Sequence, residues 1–579
     1  MEKLKLLKDS KLITDFCYYF AEFIAKLENN NNELIEIIAA LTSSAVLLKQ
    51  DIYFSLDELY TLPQEITKSL PAKNDIINIL KSSNVVGAPG STQPIILEKD
   101  RVYLNKFYQY EKLTAQIINK LINSSSLKTQ ELHNYQNYLE ILFGKEKDNP
   151  QRIAAERALN SNFFVLTGGP GTGKTTTVAK ILLMLLKSNP ELKIGICAPT
   201  GKAAARLQTS IDNFLAKEKD NIFNSHDFSD IYEKFPRTAS TIHSLLKSKF
   251  PSPKFKYNKD NYLDLNLIVV DEASMISLPL FYKLISALNP QSRIMLIGDK
   301  NQLSSVEPGN VFGDICKFIF SQKLECYVEL TKNYRFGDDS GIYSISNFIN
   351  QQDIKKVSNF FSQNNYKDIV FNTIPSSSEE FIKFIESKVV THFEKYFYFH
   401  PQSESDLLKK YQYLEKFIIL TDTRNLSFGK NKINYIVENI IAKHFHITNT
   451  DWYDGKIIII TQNDYNTKLY NGDVGFVDKD YFVIKSGSEL RKIHRFRLPE
   501  YESAFSLTIH KSQGSEYDNV MIILGDKESK ILTKELIYTA ITRARKFVEI
   551  YSYKDLFLKG IQQETERQSG LLEKLLETT

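Results

Sequence analysis

Cysteine is scarce in this chain of 579 residues: Cys17, Cys197, Cys316 and Cys326 are the only four, and no two fall at CxxC spacing. That excludes a disulfide framework and a zinc knuckle, and it favours small buried thiols in a reducing compartment. Long apolar runs are missing as well. The longest, 181–186 and Ile457–Ile460, are core-sized and fall short of the roughly 18 residues needed to span a bilayer. Residues 1–10 mix Lys with Glu and Asp and lack an uninterrupted apolar run with a small-residue cleavage site, so no secretory signal is expected. Nor does charge of one sign dominate. Lys and Arg number 73 against 69 Asp and Glu, a formal net charge of +4. This is too balanced for a protein that wraps DNA electrostatically, yet it leaves room for local basic grooves. With 42% hydrophobic and 25% charged residues, wholesale disorder is excluded. A cytoplasmic, non-membrane protein of about four compact units, one per ~150 residues, is the expectation that composition sets.

Residues 1–125 carry helical spacing rather than chemistry. Leu34, Ile35, Ile37, Ile38, Leu41, Val46, Leu47 and Leu48 recur on a helix-like period after the polar run 29–32. No His, Cys and carboxylate cluster there at ligand spacing. A helical N-terminal domain is predicted, its apolar faces docking a partner subunit. The Ser-rich break 124–126 and the polar stretch 144–150 read as joints.

From about Gln151 the pattern becomes one of short apolar strands that end in polar or Gly residues. Residues 163–166 run into Thr167-Gly168-Gly169, 194–197 into Ala198-Pro199-Thr200-Gly201, 267–270 into Asp271-Glu272, and 294–297 into Gly298-Asp299. Continuous apolar strands belong to parallel sheets covered on both faces, and ligands bind at their carboxyl ends. Residues 140–335 are therefore expected to form an α/β phosphate-binding lobe. A hairpin is expected in it at about 250–264, around Pro251, Pro253 and Asn258. A second lobe is expected over 336–579, on strands at 417–420, 520–524 and 548–551. Its segment 455–500, rich in β-branched and aromatic residues around Asn471-Gly472-Asp473, is predicted to be a small inserted antiparallel barrel.

Gly168-Gly169-Pro170-Gly171-Thr172-Gly173-Lys174-Thr175, followed by Thr176, satisfies every required position of a P-loop, in the strand-to-helix context that supports the match. Its glycines would let backbone N–H groups converge on phosphate oxygens at a helix N-terminus. Lys174 is expected to neutralise the β- and γ-phosphates of ATP and the Thr175 hydroxyl to ligate Mg²⁺. Asp271 is the candidate for the Mg²⁺ shell and Glu272 for orienting the attacking water. Gln302, in Gly298-Asp299-Lys300-Asn301-Gln302-Leu303, has an amide that can bond both a γ-phosphate and a hydrolytic water. Arg335, in Asn333-Tyr334-Arg335-Phe336, and Arg543, in the segment 538–545, are candidates to meet γ-phosphate charge, with Arg545 a structural ion-pair former. Pro199, Thr200, Thr241, His243, Thr508, His510 and Lys511 lie in short loops whose hydroxyls and cations can hold a nucleic-acid backbone without reading bases. Each is weak singly. Together they predict low sequence specificity and strong salt dependence.

The ordered motifs between Gly168 and Arg545 resemble superfamily 1 DNA helicases, and their wording resembles the RecD family, the alpha subunits of exodeoxyribonuclease V. Segments 166–176, 198–207, 269–278, 298–314, 462–477, 508–517 and 538–545 carry the likeness. The resemblance implies two RecA-like α/β lobes with an SH3-like insert, ATP in the cleft and single-stranded DNA across the top. It also implies 5′→3′ translocation, action on duplex DNA in double-strand break repair and recombination, and a heterotrimer with RecB-like and RecC-like subunits. By the same resemblance Gln151 would contact adenine, Tyr334 would stack on it, and Arg335 and Arg543 would reach the γ-phosphate from the second lobe. The related stand-alone RecD-like helicases usually carry a longer N-terminal extension, so the 150 residues before the motor favour a complex-bound subunit. The 250–264 segment is short for a strand-separating pin. No acidic cluster typical of a nuclease follows Arg545, so nuclease chemistry would belong to a partner. The rival readings are a stand-alone RecD-like helicase, an RNA-directed helicase of the same superfamily and a non-motor regulatory ATPase scaffold. DNA-stimulated ATP turnover separates the motor from the scaffold.

Overall fold

The polar residue Asn32 begins a helix that packs. Its side chain accepts from the Leu34 N–H (3.1 Å) and caps Glu33–Ser44, which buries Leu34, Ile35, Ile37, Ile38 and Leu41 against Asp15–Glu28 and Glu2–Asp9. The regular period stops at Ala45–Lys49, a π-helical turn. The extra residue in that turn swings Leu47 and Leu48 out to solvent, away from the core face where the sequence period put them. The structure, a computed structural model, describes the chain apart from 1, 29–31, 69, 125–128, 225–227, 249–251, 253, 338, 364–365, 376, 465, 487–488, 526–528 and 578–579, and apart from the side chains of 129–134, 363 and 486. Ser125 and Ser126 of the Ser-rich joint, and Phe250, Pro251 and Pro253 of the expected hairpin, lie outside the described residues.

The helical N-terminal region also carries a small sheet that its helical period did not announce. Strands β1 (Tyr53–Ser55), β2 (Val86–Gly87), β3 (Ile95–Glu98) and β4 (Arg101–Leu104) order as β1-β4-β3-β2. They are too short for their alternation to show above the surrounding helices.

The first lobe is a six-stranded, wholly parallel sheet of β5 (Phe163–Gly168), β6 (Ile194–Ala198), β7 (Ala239–Thr241), β8 (Leu267–Val270), β9 (Arg293–Gly298) and β10 (Tyr327–Leu330), ordered β10-β5-β9-β8-β6-β7. Alternate residues of one strand enter different cores: Phe163 and Val165 join one cluster, Phe164 and Leu166 the other. Burial on both faces is why these strands read as unbroken apolar runs. The 250–264 insert has no continuous strands among its described residues. It is held by the antiparallel bridges Ser248↔Phe255 and Asn258↔Asn261.

The second lobe begins with β11 (Ile369–Asn372) and β12 (Phe417–Thr421). The chain then leaves to form β13 (Ile457–Ile460), β14 (Val474–Asp478), β15 (Tyr481–Ser486), β16 (Glu489–His494) and β17 (Tyr501–Ser503), an antiparallel sheet ordered β16-β15-β14-β13-β17. It returns through β18 (Ser506–Thr508), β19 (Tyr517–Ile523) and β20 (Ala544–Tyr551) to complete a parallel sheet ordered β11-β20-β19-β12-β18. All four cysteines are buried and unpaired. Among the described residues, no helix is long and apolar enough to cross a membrane.

Sequence position assigns the last residues to the second lobe, but the structure carries them elsewhere. Thr565 still bonds Glu535 of that lobe. Arg567 then donates to the carbonyls of Glu307 and Gly309 in the first lobe, and the Ile52 N–H donates to the Gln568 carbonyl (2.7 Å). Helix Leu571–Glu577 ends on the N-terminal domain, where Glu573 accepts both Arg101 nitrogens (2.6 and 2.5 Å) and Lys574 meets Glu98 (2.9 Å) and Glu111 (3.1 Å). The reasons are apolar burial, with Leu571 and Leu575 fully enclosed beside Tyr103 and Ile118, and charge. Glu111 is fully buried, and Lys574 supplies its counter-ion. Removing one partner of a buried pair strands the other, so Lys574→Met should cost about 3 kcal/mol. Scanning calorimetry should show it as an earlier unfolding transition.

Candidate nucleotide cleft and nucleic-acid face

Strand β5 delivers the chain into a loop that only glycine can build at two positions. Gly171 and Gly173 hold φ of 79° and 81°, a region costly for any residue with a Cβ. A Cβ on Gly171 would lie 2.5 Å from the Arg335 Cβ, and one on Gly173 would lie 2.6 Å from the Gln151 amide nitrogen. Lys174 opens helix Lys174–Ser188 and turns its ammonium back onto the carbonyls of Gly168 (2.6 Å) and Gly169 (2.9 Å). Burial lowers its pKa, opposed by the fields of Asp299, Glu272 and Asp271. Thr175 is half-buried and Thr176 exposed. The Thr172 hydroxyl donates to Gly169 O (2.8 Å), and Asn333 donates to Pro170 O (2.8 Å). Gln151 reaches Thr172 O at 3.5 Å, and the Tyr334 N–H donates to Gly171 O (2.8 Å), so these two residues flank the same end of the loop.

Opposite the loop, β8 ends in Asp271 and Glu272. The Asp271 carboxylate accepts from the Glu272 N–H (2.9 Å), and Glu272 sits in the left-handed region at φ 52°. Burial and the neighbouring Glu272 charge push the Asp271 pKa up to about 6. A half-buried carboxylate that lines the same pocket as Thr175 suits a hard divalent cation. From the end of β9, Asp299 accepts from Gln302 Nε2 (3.0 Å) and, across the cleft, from the Tyr538 hydroxyl (2.9 Å). Gln302 is thus buried and oriented by Asp299.

The arginines converge on one carboxylate. Glu516, whose side chain is only 7% exposed, accepts from Arg206 and from Arg335 (2.9 Å), with Arg545 at 3.7 Å. Desolvation would raise its pKa, but Arg206, Arg335 and Arg543 together hold it down to about 2. Arg543 is 1% exposed and donates to the carbonyls of Thr539 (3.1 Å) and Ser515 (3.2 Å). One Arg335 nitrogen is buried without a partner. Arg335 does not come from the second lobe, as the resemblance implied. It follows β10, the edge strand beside β5, so the chain leaving that strand passes directly over the P-loop. Arg545 also pairs with Glu415 (3.1 Å) and Asp518 (3.8 Å).

The candidate nucleic-acid residues form a separate set at strand carboxyl ends. Pro199 and Thr200 follow β6, and Thr241 ends β7, in register with Ala198. Thr508 ends β18, in register with Thr421 of β12. Thr200 and Thr241 accept from Ala203 N (3.2 Å) and Ser244 N (3.1 Å) as helix caps. Capping uses the oxygen lone pairs and leaves each hydroxyl proton free to donate. His243 is exposed beside Phe255. His510 and Lys511 occupy the turn His510–Ser512, where burial depresses both pKa values; Arg567 adds to the effect on His510, and Glu502 opposes it on Lys511. Here the lobes touch: a Cβ on Gly514 would sit 3.6 Å from Ala203, and one on Gly201 would sit 3.6 Å from Tyr470 of the inserted sheet. Sequence reasoning missed Arg206, Asp299, Glu516 and Tyr538. All four lie inside segments already read for other residues.

Three family models match: an AAA domain over 151–308, a UvrD-like helicase C-terminal domain over 503–551, and the RecBCD enzyme subunit RecD N-terminal domain over 9–103. RecBCD enzyme subunit RecD of Buchnera aphidicola is 32% identical, over 96% of this chain and 98% of its own length. The chain belongs to the RecD family. The RecD of Haemophilus influenzae is 33% identical over 84% of this chain and 81% of its own length. A structure of two Pif1 helicases on forked duplex DNA matches over 71% of this chain and 94% of its own, with 16% identity and a TM-score of 0.38. In this RecD family member the cleft carboxylate Glu516 makes its own prediction. A carboxylate whose folded pKa is depressed contributes stability above its unfolded pKa and loses it as pH falls through the folded one. Glu516→Gln should therefore cost about 3 kcal/mol at pH 7. In paired acid titrations, the gap between variant and parent should close between pH 4.5 and about 2.

Proposed function

We propose that the chain is the ATP-driven helicase subunit of a RecBCD-type exodeoxyribonuclease V, moving 5′→3′ on single-stranded DNA during double-strand break repair and recombination. The observation that carries this reading is the convergence of the half-buried Lys174, Asp271, Glu272 and Arg335 of the first lobe with the buried Arg543 of the second on one cleft. In this reading the P-loop N–H groups and Lys174 hold the β- and γ-phosphates, and Gln151 and Tyr334 take the adenine. Thr175 and Asp271 hold Mg²⁺, which when bound neutralises phosphate charge. Glu272 orients the attacking water and accepts its proton, Gln302 aligns that water, and Arg335 and Arg543 meet the charge that develops on the γ-phosphate. Closure of the lobes brings Pro199, Thr200, Thr241 and His243 toward Thr508, His510 and Lys511, so that alternating grip on phosphates advances the strand.

An exposed apolar stripe supports membership of a complex. Phe16, Tyr19 and Phe23 are 63%, 63% and 56% exposed at helical spacing on Asp15–Glu28, with Leu27 one turn further on. Such a face suits docking to a RecB-like or RecC-like subunit in a heterotrimer. The nuclease site would lie in a partner.

Lys174→Gln should abolish ATP turnover and strand movement while the variant still co-purifies with its partners; continued translocation on single strands would refute the assignment. Arg543→Ala should lower turnover on the order of 10³-fold, measured as single-stranded-DNA-stimulated ATPase. RNA should stimulate turnover less than DNA does, and tailed duplexes should be unwound only from a 5′ overhang.

A further inference from the structure

Tyr538 belongs to helix Lys534–Ile541 of the second lobe, is buried, and has no role in the reading above. Its hydroxyl crosses the cleft and donates to Asp299 Oδ2 at 2.9 Å. That same oxygen accepts the Gln302 amide at 3.0 Å. The hydroxyl also lies against the P-loop, 3.0 Å from the place a Cβ on Gly169 would take, and Gly169 O is one of the two carbonyls that hold Lys174. The next residue continues the clasp: the Leu303 N–H donates to the Thr539 hydroxyl (3.0 Å), and Gln513 Nε2 donates to Leu303 O (2.9 Å). The turn from Asp299 to Leu303 is therefore gripped by three side chains of the second lobe.

We infer that Tyr538 is a positioning residue for ATP hydrolysis, fixing the Gln302 amide through the shared Asp299 oxygen only while the two lobes are closed. The inference rests on the helicase reading. An amide held by one carboxylate oxygen has a single orientation as long as that carboxylate is itself held. The Asp299 carboxylate is held from two sides: within its own lobe by the Asn301 N–H (3.0 Å), and across the cleft by Tyr538. Separation of the lobes removes the second donor and frees the carboxylate to turn about its last bond, carrying Gln302 with it. Hydrolysis is thereby confined to the closed state without any change in how nucleotide is bound.

The test uses the full-length chain with its partner subunits and reads single-stranded-DNA-stimulated ATP turnover. Tyr538→Phe deletes one oxygen from a buried ring and keeps the packing. It should lower kcat about tenfold, the loss expected for one hydrogen bond to a charged group, with KM for ATP unchanged. In a double-mutant cycle, Tyr538→Phe added to Gln302→Ala should cost nothing more, because both remove the same orientation. Parental kcat in Tyr538→Phe, a rise in KM in place of the fall in kcat, or losses that multiply in the double variant would each overturn the inference alone. If the parent complex shows no DNA-stimulated turnover, the helicase reading fails and this inference fails with it.

Discussion

The cleft depends on one buried carboxylate. Glu516 stands among Arg206, Arg335, Arg543 and Arg545, cations that would repel one another and resist burial without it. Arg206 comes from the first-lobe helix Gly201–Glu218, Arg335 from the segment after β10 and Arg543 from the second lobe, so a single anion ties three parts of the chain together. It also holds the arginines in place before any phosphate arrives. In the proposed reading, a triphosphate entering the cleft would offer these cations a second anion, so the site would exchange partners for its arginines without having to gather them.

Much of this was legible because the chemistry is local. The P-loop, the Asp271–Glu272 pair and the 298–303 turn each follow an apolar strand, and parallel β-structure puts such residues at one end of the sheet. What was not legible is long-range. Glu516 lies 310 positions from Arg206 and 181 from Arg335, and no period or spacing links them. Tyr538 lies 239 positions from Asp299. Its segment was read for its arginines, and a tyrosine inside an apolar helix looks like core. Chain order placed Arg335 at the end of the first lobe, where it lies; the resemblance gave it to the second lobe, and only the pairing of β10 with β5 shows that it passes over the P-loop. The small N-terminal sheet escaped because its strands run to at most four residues among strongly periodic helices.

The near-neutral charge of the chain also acquires a local meaning. The face at the strand ends is built from hydroxyls that cap helices, from glycine backbone and from few cations, of which Lys511 is held below its ordinary basicity. In the proposed reading such a surface would grip each phosphate weakly, which suits repeated release.

The terminal segment ties all three regions together, and this has a consequence for biosynthesis. Glu111 and Gly570 are hydrogen-bonded partners 459 positions apart. At ordinary elongation rates, of roughly 5–20 residues per second, the N-terminal domain waits on the order of a minute for the segment that neutralises its buried glutamate. Until then Glu111 lacks the Lys574 counter-ion and the Gly570 N–H, while the domain already packs on the motor through Tyr110 against Tyr282 and through Ala115 and Ile118. The ion pairs and hydrogen bonds that Arg567, Gln568, Glu573 and Lys574 add between the N-terminal domain and the motor therefore form only after residues 567–574 have been made.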